Sequence, residues 1–227
     1  MSGVRLLLPV VMAGLAVLVL RPAIAAASEE VTARARQFLQ DHTKKLQPLE
    51  IAAARAWWDA NISGKEEDYA KKTEAEKKVD AALADKAAFA KVKALKDNSK
   101  DIDDAELRRA IDVLYLAYLG KQVDPELLKK MIELSNSVEK QFNNFRANVD
   151  NRQMTDSEVR RVLKESLDGD QRKAVWEASK KVGEVVEKDL KQLVKLRNES
   201  ATKLGFKNFH ALMLFLNEQD GEQIVKL

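Results

Sequence analysis

Two histidines and no cysteine set the limits of the chemistry open to this 227-residue chain. A zinc centre needs three or four side-chain ligands, commonly two histidines one helical turn apart. His42 and His210 lie far apart, and no His-x-x-x-His spacing occurs. The absence of cysteine removes disulfides and thiolate metal sites. His42 shares a helical face with Phe38, Leu39 and Leu46, which marks it as a half-buried structural histidine. His210 follows Phe209 and has no acidic neighbour. The acid pairs Glu66-Glu67 and Asp103-Asp104 read as exposed faces or helix caps. Neither a Gly-x-Ser-x-Gly elbow nor a glycine-rich phosphate loop is present. Asn61-Ile62-Ser63 and Asn198-Glu199-Ser200 match the glycosylation acceptor pattern, which arises often by chance, and the second falls inside a helical stretch, so both are discounted. No catalytic, cofactor-binding or metal-binding residue is therefore assigned. By residues alone the chain is an exported helical module without a catalytic set.

The elements that would position any site are helical. Glycine (8) and proline (4) are scarce, apolar residues make up 45% and charged residues 33%, a composition that suits a helical core with well-solvated outer faces. No stretch alternates at period two over a strand's length, and no repeat of 20–50 residues is present. The expected fold is all-α, a multi-helix array of about six to eight helices. The formal charge is +3. Residues 1–27 hold Arg5 and Arg21 and no acid, so the rest is close to balance and makes no electrostatic case for nucleic acid.

Met1–Ala27 has the parts of a secretory signal: Arg5, the apolar run Leu6–Leu20, and the small-x-small sites Ala23-Ile24-Ala25 and Ala25-Ala26-Ala27. The alternative is an uncleaved membrane anchor formed by residues 6–20, although that run is shorter than the about 20 residues a bilayer core requires. The expected domains are a signal at 1–27 and a helical part at 28–227. Ser28, followed by Glu29 and Glu30, suits a helix start. The apolar positions then continue past Pro48 as one kinked helix to about Ala60, and Asn61–Gly64 breaks it. Lys65–Asp85 is so polar that it predicts a weakly packed, solvent-facing helix. Ala87–Leu95 either continues it or forms a separate turn, and Asp97–Asp101 is a polar loop. Capping boxes are expected at Asp103–Glu106 and Thr155–Glu158, a glycine stop at Gly120, and a cap followed by proline at Asp124-Pro125, leading a helix to about Asn148. Trp57, Trp58, Phe142, Phe145, Trp176, Phe206 and Phe209 are expected to fill a core or seam.

The longest organised stretch is Asp168–Leu216, which reads as a turn, one long amphipathic helix ending at Gly205, and a second helix rich in Leu and Phe. Within it, Leu167-Asp168-Gly169-Asp170-Gln171-Arg172 leads to Trp176-Glu177 and Gly183. Leu193-Val194-Lys195-Leu196-Arg197-Asn198-Glu199-Ser200-Ala201 and Leu204-Gly205-Phe206-Lys207-Asn208-Phe209 follow. This run resembles the secreted zinc dipeptidyl carboxypeptidases of the angiotensin-converting-enzyme type, and more loosely the oligopeptidases that share their helical fold. Ala53–Ser63, with Trp57-Trp58 and Asn61, resembles an early segment of the same family.

The resemblance implies a larger two-lobed helical metallopeptidase fold, of which residues 28–227 would be the N-terminal, lid-bearing part, incomplete at its C-terminus. It implies peptide substrates shortened by dipeptides from their C-termini. It also implies zinc in the complete enzyme, held by a His-Glu-x-x-His helix and a downstream Glu whose counterparts are not found here. No ligand, general base or substrate-binding residue is carried over to any position of this chain, which is expected to bind no zinc and to be inactive alone. Where animal members carry a chloride-linked Trp-Arg pair, this chain reads Ala211-Leu212-Met213-Leu214. Two alternatives stay open: a non-enzymatic exported protein that kept the lid half and binds a partner or peptide, and a generic periplasmic helical bundle.

Overall fold

The computed structural model describes residues 13–226, with side chains from Ser28 onward. The signal or anchor features of Met1–Ala27 therefore fall outside the described side chains. Among the described residues no helix is long and apolar enough to cross a membrane.

The first helix, α1 (Ala13–Ser63), begins before the expected start at Ser28 and continues past Pro48 as expected. Ser28 does not cap it; its hydroxyl donates to the Asp101 carbonyl at 2.7 Å, tying the helix to a distant turn. Pro48 and Lys44 are both exposed, so the carbonyl that loses its amide partner lies on the solvent side, where water satisfies it. Gly64, at φ +65°, closes the helix and leads to α2 (Glu66–Leu83).

Asp85 accepts from the amides of Ala87 and Ala88 at 2.9 and 3.0 Å, so Ala87–Leu95 belongs to a separate helix, α3 (Lys86–Asp97). A 3-10 turn at Ser99–Asp101 follows. The helix α4 (Ala105–Leu119) is capped by Asp104 alone, whose carboxylate accepts from Glu106 and Leu107 at 3.0 Å. Glu106 sits too close to this cap to close the expected box, and the Asp103 amide instead donates to Thr32. Gly120 ends α4 in right-handed backbone; a Cβ there would meet Leu216 at 3.0 Å, so its lack of a side chain serves a close approach.

Asp124 and Pro125 open α5 (Pro125–Asn144) as expected. The chain then departs from the expected absence of strands. β1 (Ala147–Val149) and β2 (Arg152–Met154) pair antiparallel in the register Ala147↔Met154. Asp150 and Asn151 turn between them with φ +50° and +65°, left-handed values that Asp and Asn tolerate in a two-residue hairpin loop. Three-residue arms are too short to show a period. Thr155 and Glu158 form the expected box at the start of α6 (Asp156–Glu165).

Asp168 caps α7 (Gly169–Lys180), and the stretch expected to be one helix is interrupted at Lys181 before α8 (Val182–Lys203). The buried stripe slips by one residue across the break: Val175 is buried, whereas Val186 takes the place expected for the exposed Val185. Two short helices, α9 (Phe209–Leu216) and α10 (Gly221–Lys226), complete the described chain. The fold is thus all-α apart from one small hairpin, with ten α-helices among the described residues, more than the six to eight expected.

The larger core lies among α1, the end of α2, α3 and α4, around Leu46, Val92, Ile102, Ile111 and Tyr118. A smaller one joins the hairpin to α6 and α7 through Ala147, Met154, Val159 and Val175. The polar helix α2 is not weakly held. Lys72 is 1% exposed and reaches Glu139 of α5 at 2.6 Å and Glu76 at 3.8 Å. Asn136 of α5 donates to Glu76 and Thr73 at 2.6 and 2.9 Å, and Asn61 of α1 donates to the other Glu139 oxygen at 3.1 Å. Lys77 pairs with Glu133 at 2.8 Å, and Lys140 with Glu66. The charges that suggested a solvent-facing helix are paired across to a neighbour.

Candidate functional site

The corner where α8 turns into α9 is built by the residues that carry the sequence pattern. Gly205 takes φ +87°, the left-handed backbone that glycine adopts without a Cβ penalty. The Phe206 amide then donates to Ala201 at 2.9 Å and the Gly205 amide to Thr202 at 3.0 Å, the paired bonds of a Schellman stop. Asn208 caps α9 by accepting from the Ala211 amide at 2.9 Å. Asn198, two turns back on α8, accepts from the Phe209 amide at 2.9 Å and so satisfies a donor at the helix start that its own helix cannot. Arg197 lies over the Phe209 ring at 5.2 Å, and Phe206 packs against Phe215 at 5.2 Å. Burial lowers the Arg197 guanidinium below its ordinary range, and among the described residues it forms no ion pair. Phe206 and Phe209 thus pin α9 as expected.

This corner borders a cleft of about 760 Å³ whose walls come from α2, α4, α5, α8 and α9. Leu128, Ile132, Leu212 and Leu216 give it an apolar floor, and Glu76, Asp80 and Glu139 line its α2–α5 side. Arg109 and Glu218 close one edge with a two-pronged ion pair. Ser137 and Gln141 of α5 both donate to Asp189 of α8, at 2.7 and 2.8 Å, and fix the pairing of these two walls.

The histidines are placed apart. His42 is packed with Phe38 and Tyr118, at ring separations of 6.5 and 5.7 Å, and its Nδ1 is 3.2 Å from the Tyr118 hydroxyl. Burial holds the imidazole below its usual range and pushes the Tyr118 phenol up, so both are neutral at pH 7. The structural role expected for His42 is the observed one. His210 is exposed on α9. Asn61 and Asn198, the two discounted acceptor sites, both have their side chains engaged in hydrogen bonds. Of the aromatics expected in a core or seam, Trp57, Trp58, Phe142 and Trp176 are instead about half exposed or more, Trp58 reaching 61%.

A sequence profile of the angiotensin-converting enzyme family of peptidases matches residues 29–223. The chain belongs to that family. No curated protein matches it. Membership in the angiotensin-converting enzyme family makes the corner and the helical array around it a peptidase-related framework. The zinc that this family implies does not fit the side chains in view. Among the described residues no three of His, Asp and Glu come together as a metal ion requires. His42 turns one nitrogen to Tyr118, and His210 lies on another helix facing solvent.

What the residue types did not reveal is the polar clamp of Lys72, Glu139, Glu76 and Asn136. Its members lie on two helices far apart in the chain. The only advance signal is the unusual density of Lys and Glu in Lys65–Asp85.

Proposed function

We propose that this chain is the N-terminal, lid-bearing part of an exported zinc metallopeptidase of the peptidyl-dipeptidase type, which removes dipeptides from peptide C-termini. The family match over residues 29–223 carries the proposal. The Arg197–Asn198–Phe209 corner supports it as scaffold, since these side chains are occupied in holding α8 to α9. In this reading α2 is one lid element, the peptide passes along a face of the array, and the zinc, its ligands and the general base come from elsewhere in the complete enzyme. Exposed apolar side chains support a larger whole: Ile51, Trp58 and Ile62 recur on one face of α1, and Leu190 and Val194 on one face of α8. Such stripes mark surfaces that a further part of a domain covers.

A second reading, a non-enzymatic exported protein derived from the same fold, draws support from the capped helices and the two apolar clusters. An assay tests the scaffold role that both readings share, and the coding frame separates them. Residues 28–227, assayed on C-terminally labelled peptides with and without EDTA, should release no dipeptide in a chelator-sensitive way, and activity abolished by EDTA would overturn the scaffold assignment. Sequencing the coding frame beyond Leu227 should reveal a His-Glu-x-x-His codon run; a stop codon with no such run downstream would favour the non-enzymatic protein.

A further inference from the structure

The exposed face of α1 has a symmetry of its own. Ile51, Arg55, Trp58 and Ile62 fall within a sector of about 60° on the helix. Ile51 is 46% exposed, Trp58 61% and Ile62 70%, and Ala54, Arg55 and Asp59 beside them are exposed as well. The opposite side, with Ala53, Ala56 and the fully buried Ala60, is where α1 runs against α2. A shallow hollow lies over Ala54, walled by Ile51, Arg55, Trp58 and Asp59.

The spacing along this face is palindromic. Ile51, Arg55, Trp58 and Ile62 stand four, three and four residues apart, the same order of gaps in either direction. A second copy of α1 laid antiparallel therefore brings Ile62 over Ile51, Trp58 over Ala54, and Asp59 beside Arg55. The midpoints of these three pairs fall at Ala56, at Trp57 or between them, so one two-fold axis serves all three. The flanks agree too. Ala54 and Trp58 lie on one flank of the stripe, Arg55 and Asp59 on the other, and in an antiparallel two-fold pair each flank meets its own copy. The largest side chain of the face then enters the hollow over the smallest.

The charges select the same partner. Neither Arg55 nor Asp59 enters an ion pair among the described residues. Base before acid at a spacing of four is the weaker order for pairing on a single helix. Lys71, which feels Asp59 only from beyond ion-pair distance, is paired with Asp68 at 2.9 Å. Both charges are open to a partner with the opposite sign at the same level, and a second copy supplies that pairing twice.

We propose that this face of α1 binds a second copy of the chain, antiparallel, about a two-fold axis beside Ala56 and Trp57. The pairing belongs to the chain as it stands; in a complete enzyme the further part of the domain would cover the same face and take the copy's place. Each copy contributes Ile51, Ala54, Arg55, Trp58, Asp59 and Ile62, far fewer than the about 20–30 residues a side of a lasting complex. The dimer is therefore weak and exchanges rapidly.

Residues 28–227 hold both apolar cores and leave out the apolar run Leu6–Leu20, whose own association would confuse the result. Their mass by sedimentation equilibrium should rise toward that of a dimer between micromolar and near-millimolar concentration. Trp58→Ala should weaken the association about thirtyfold, the loss of a central aromatic anchor. Arg55→Glu and Asp59→Arg should each weaken it about tenfold, since two attractions become two repulsions. Mixing these two variants restores both ion pairs across the axis, and the mixture should associate as the unaltered chain does. Both positions are exposed, and recovery in the mixture reports that each variant is folded. The proposal is overturned by a monomer at every concentration, by association that Arg55→Glu leaves unchanged, or by a mixture no tighter than its components. None of these outcomes depends on peptidase activity or on the coding frame beyond Leu227, so the peptidase reading stands or falls separately.

Discussion

The α2–α5 clamp and the α8–α9 corner hold helices together by opposite means. In the clamp, Lys72 is buried between two carboxylates that still reach water, each 32% exposed, and side-chain amides from α1 and α5 take up the remaining acceptors. At the corner one glycine, two asparagines and a set of rings do the work, within twenty residues of chain. The clamp depends on partners supplied from a distance, and the corner largely carries its own. Loss of a member should therefore be felt more strongly in the clamp, where a buried charge is left behind, than in the corner, where each bond is neutral.

The comparison can be broken most directly at Lys72. Lys72→Ala should destabilise the chain by about 3 kcal/mol, the low end for a broken buried pair, because Glu139 and Glu76 retain some water. Lys72→Met, which keeps the volume, should cost less. Urea denaturation midpoints of both variants give the values, and equal losses would show that charge alone, with no share from packing, holds α2. At the corner, Asn198→Ala should cost about 1–2 kcal/mol by leaving the half-buried Phe209 amide without its acceptor. A loss larger than that of Lys72→Ala would reverse the ranking.

A third, smaller effect separates both regions from the packed rings of Phe38, His42 and Tyr118. The folded state holds His42 below the ordinary value of 6.5, so below that value the unfolded chain binds the extra proton more readily. Stability should be unaffected above pH 6.5 and fall as the pH drops from there through the folded-state value. His42→Gln should flatten that part of a melting-temperature profile, and an identical slope in the variant would assign the acid sensitivity elsewhere. The smallest effect belongs to Trp58, which is 61% exposed. Trp58→Ala should shift stability by no more than about 0.5 kcal/mol, in contrast to a core tryptophan, as the same urea curves will show.

These regions also differ in how plainly they could be read beforehand. Gly205 and the spacing of Phe206 and Phe209 announce the corner, because a glycine stop and its aromatic partners act within a few residues of one another. Asp124-Pro125 and Thr155–Glu158 were legible for the same reason: a cap is a local contact. The clamp was not, since Lys72 in sequence is indistinguishable from Lys71, one residue away and exposed. Only the direction in which α5 approaches decides which lysine is buried. The tryptophans misled in the other way, because an aromatic side chain announces an apolar surface without saying whether these residues cover it. The hairpin escaped because its two arms show no period, and the break at Lys181 because nothing in its side chains forbids a helix. For His42, the place on an apolar face was legible, but not its contact with Tyr118, which needs α4 to be set against α1.

The burial of Lys72 has a kinetic consequence. Amine-acylating reagents attack only the deprotonated, accessible nitrogen, and this amine is sealed while α2 lies on α5. Exposed neighbours such as Lys71 should be acylated quickly, whereas Lys72 should wait for the two helices to part. Its labelling rate, followed by mass spectrometry of one peptide, would then be a clock for how often α2 lifts away.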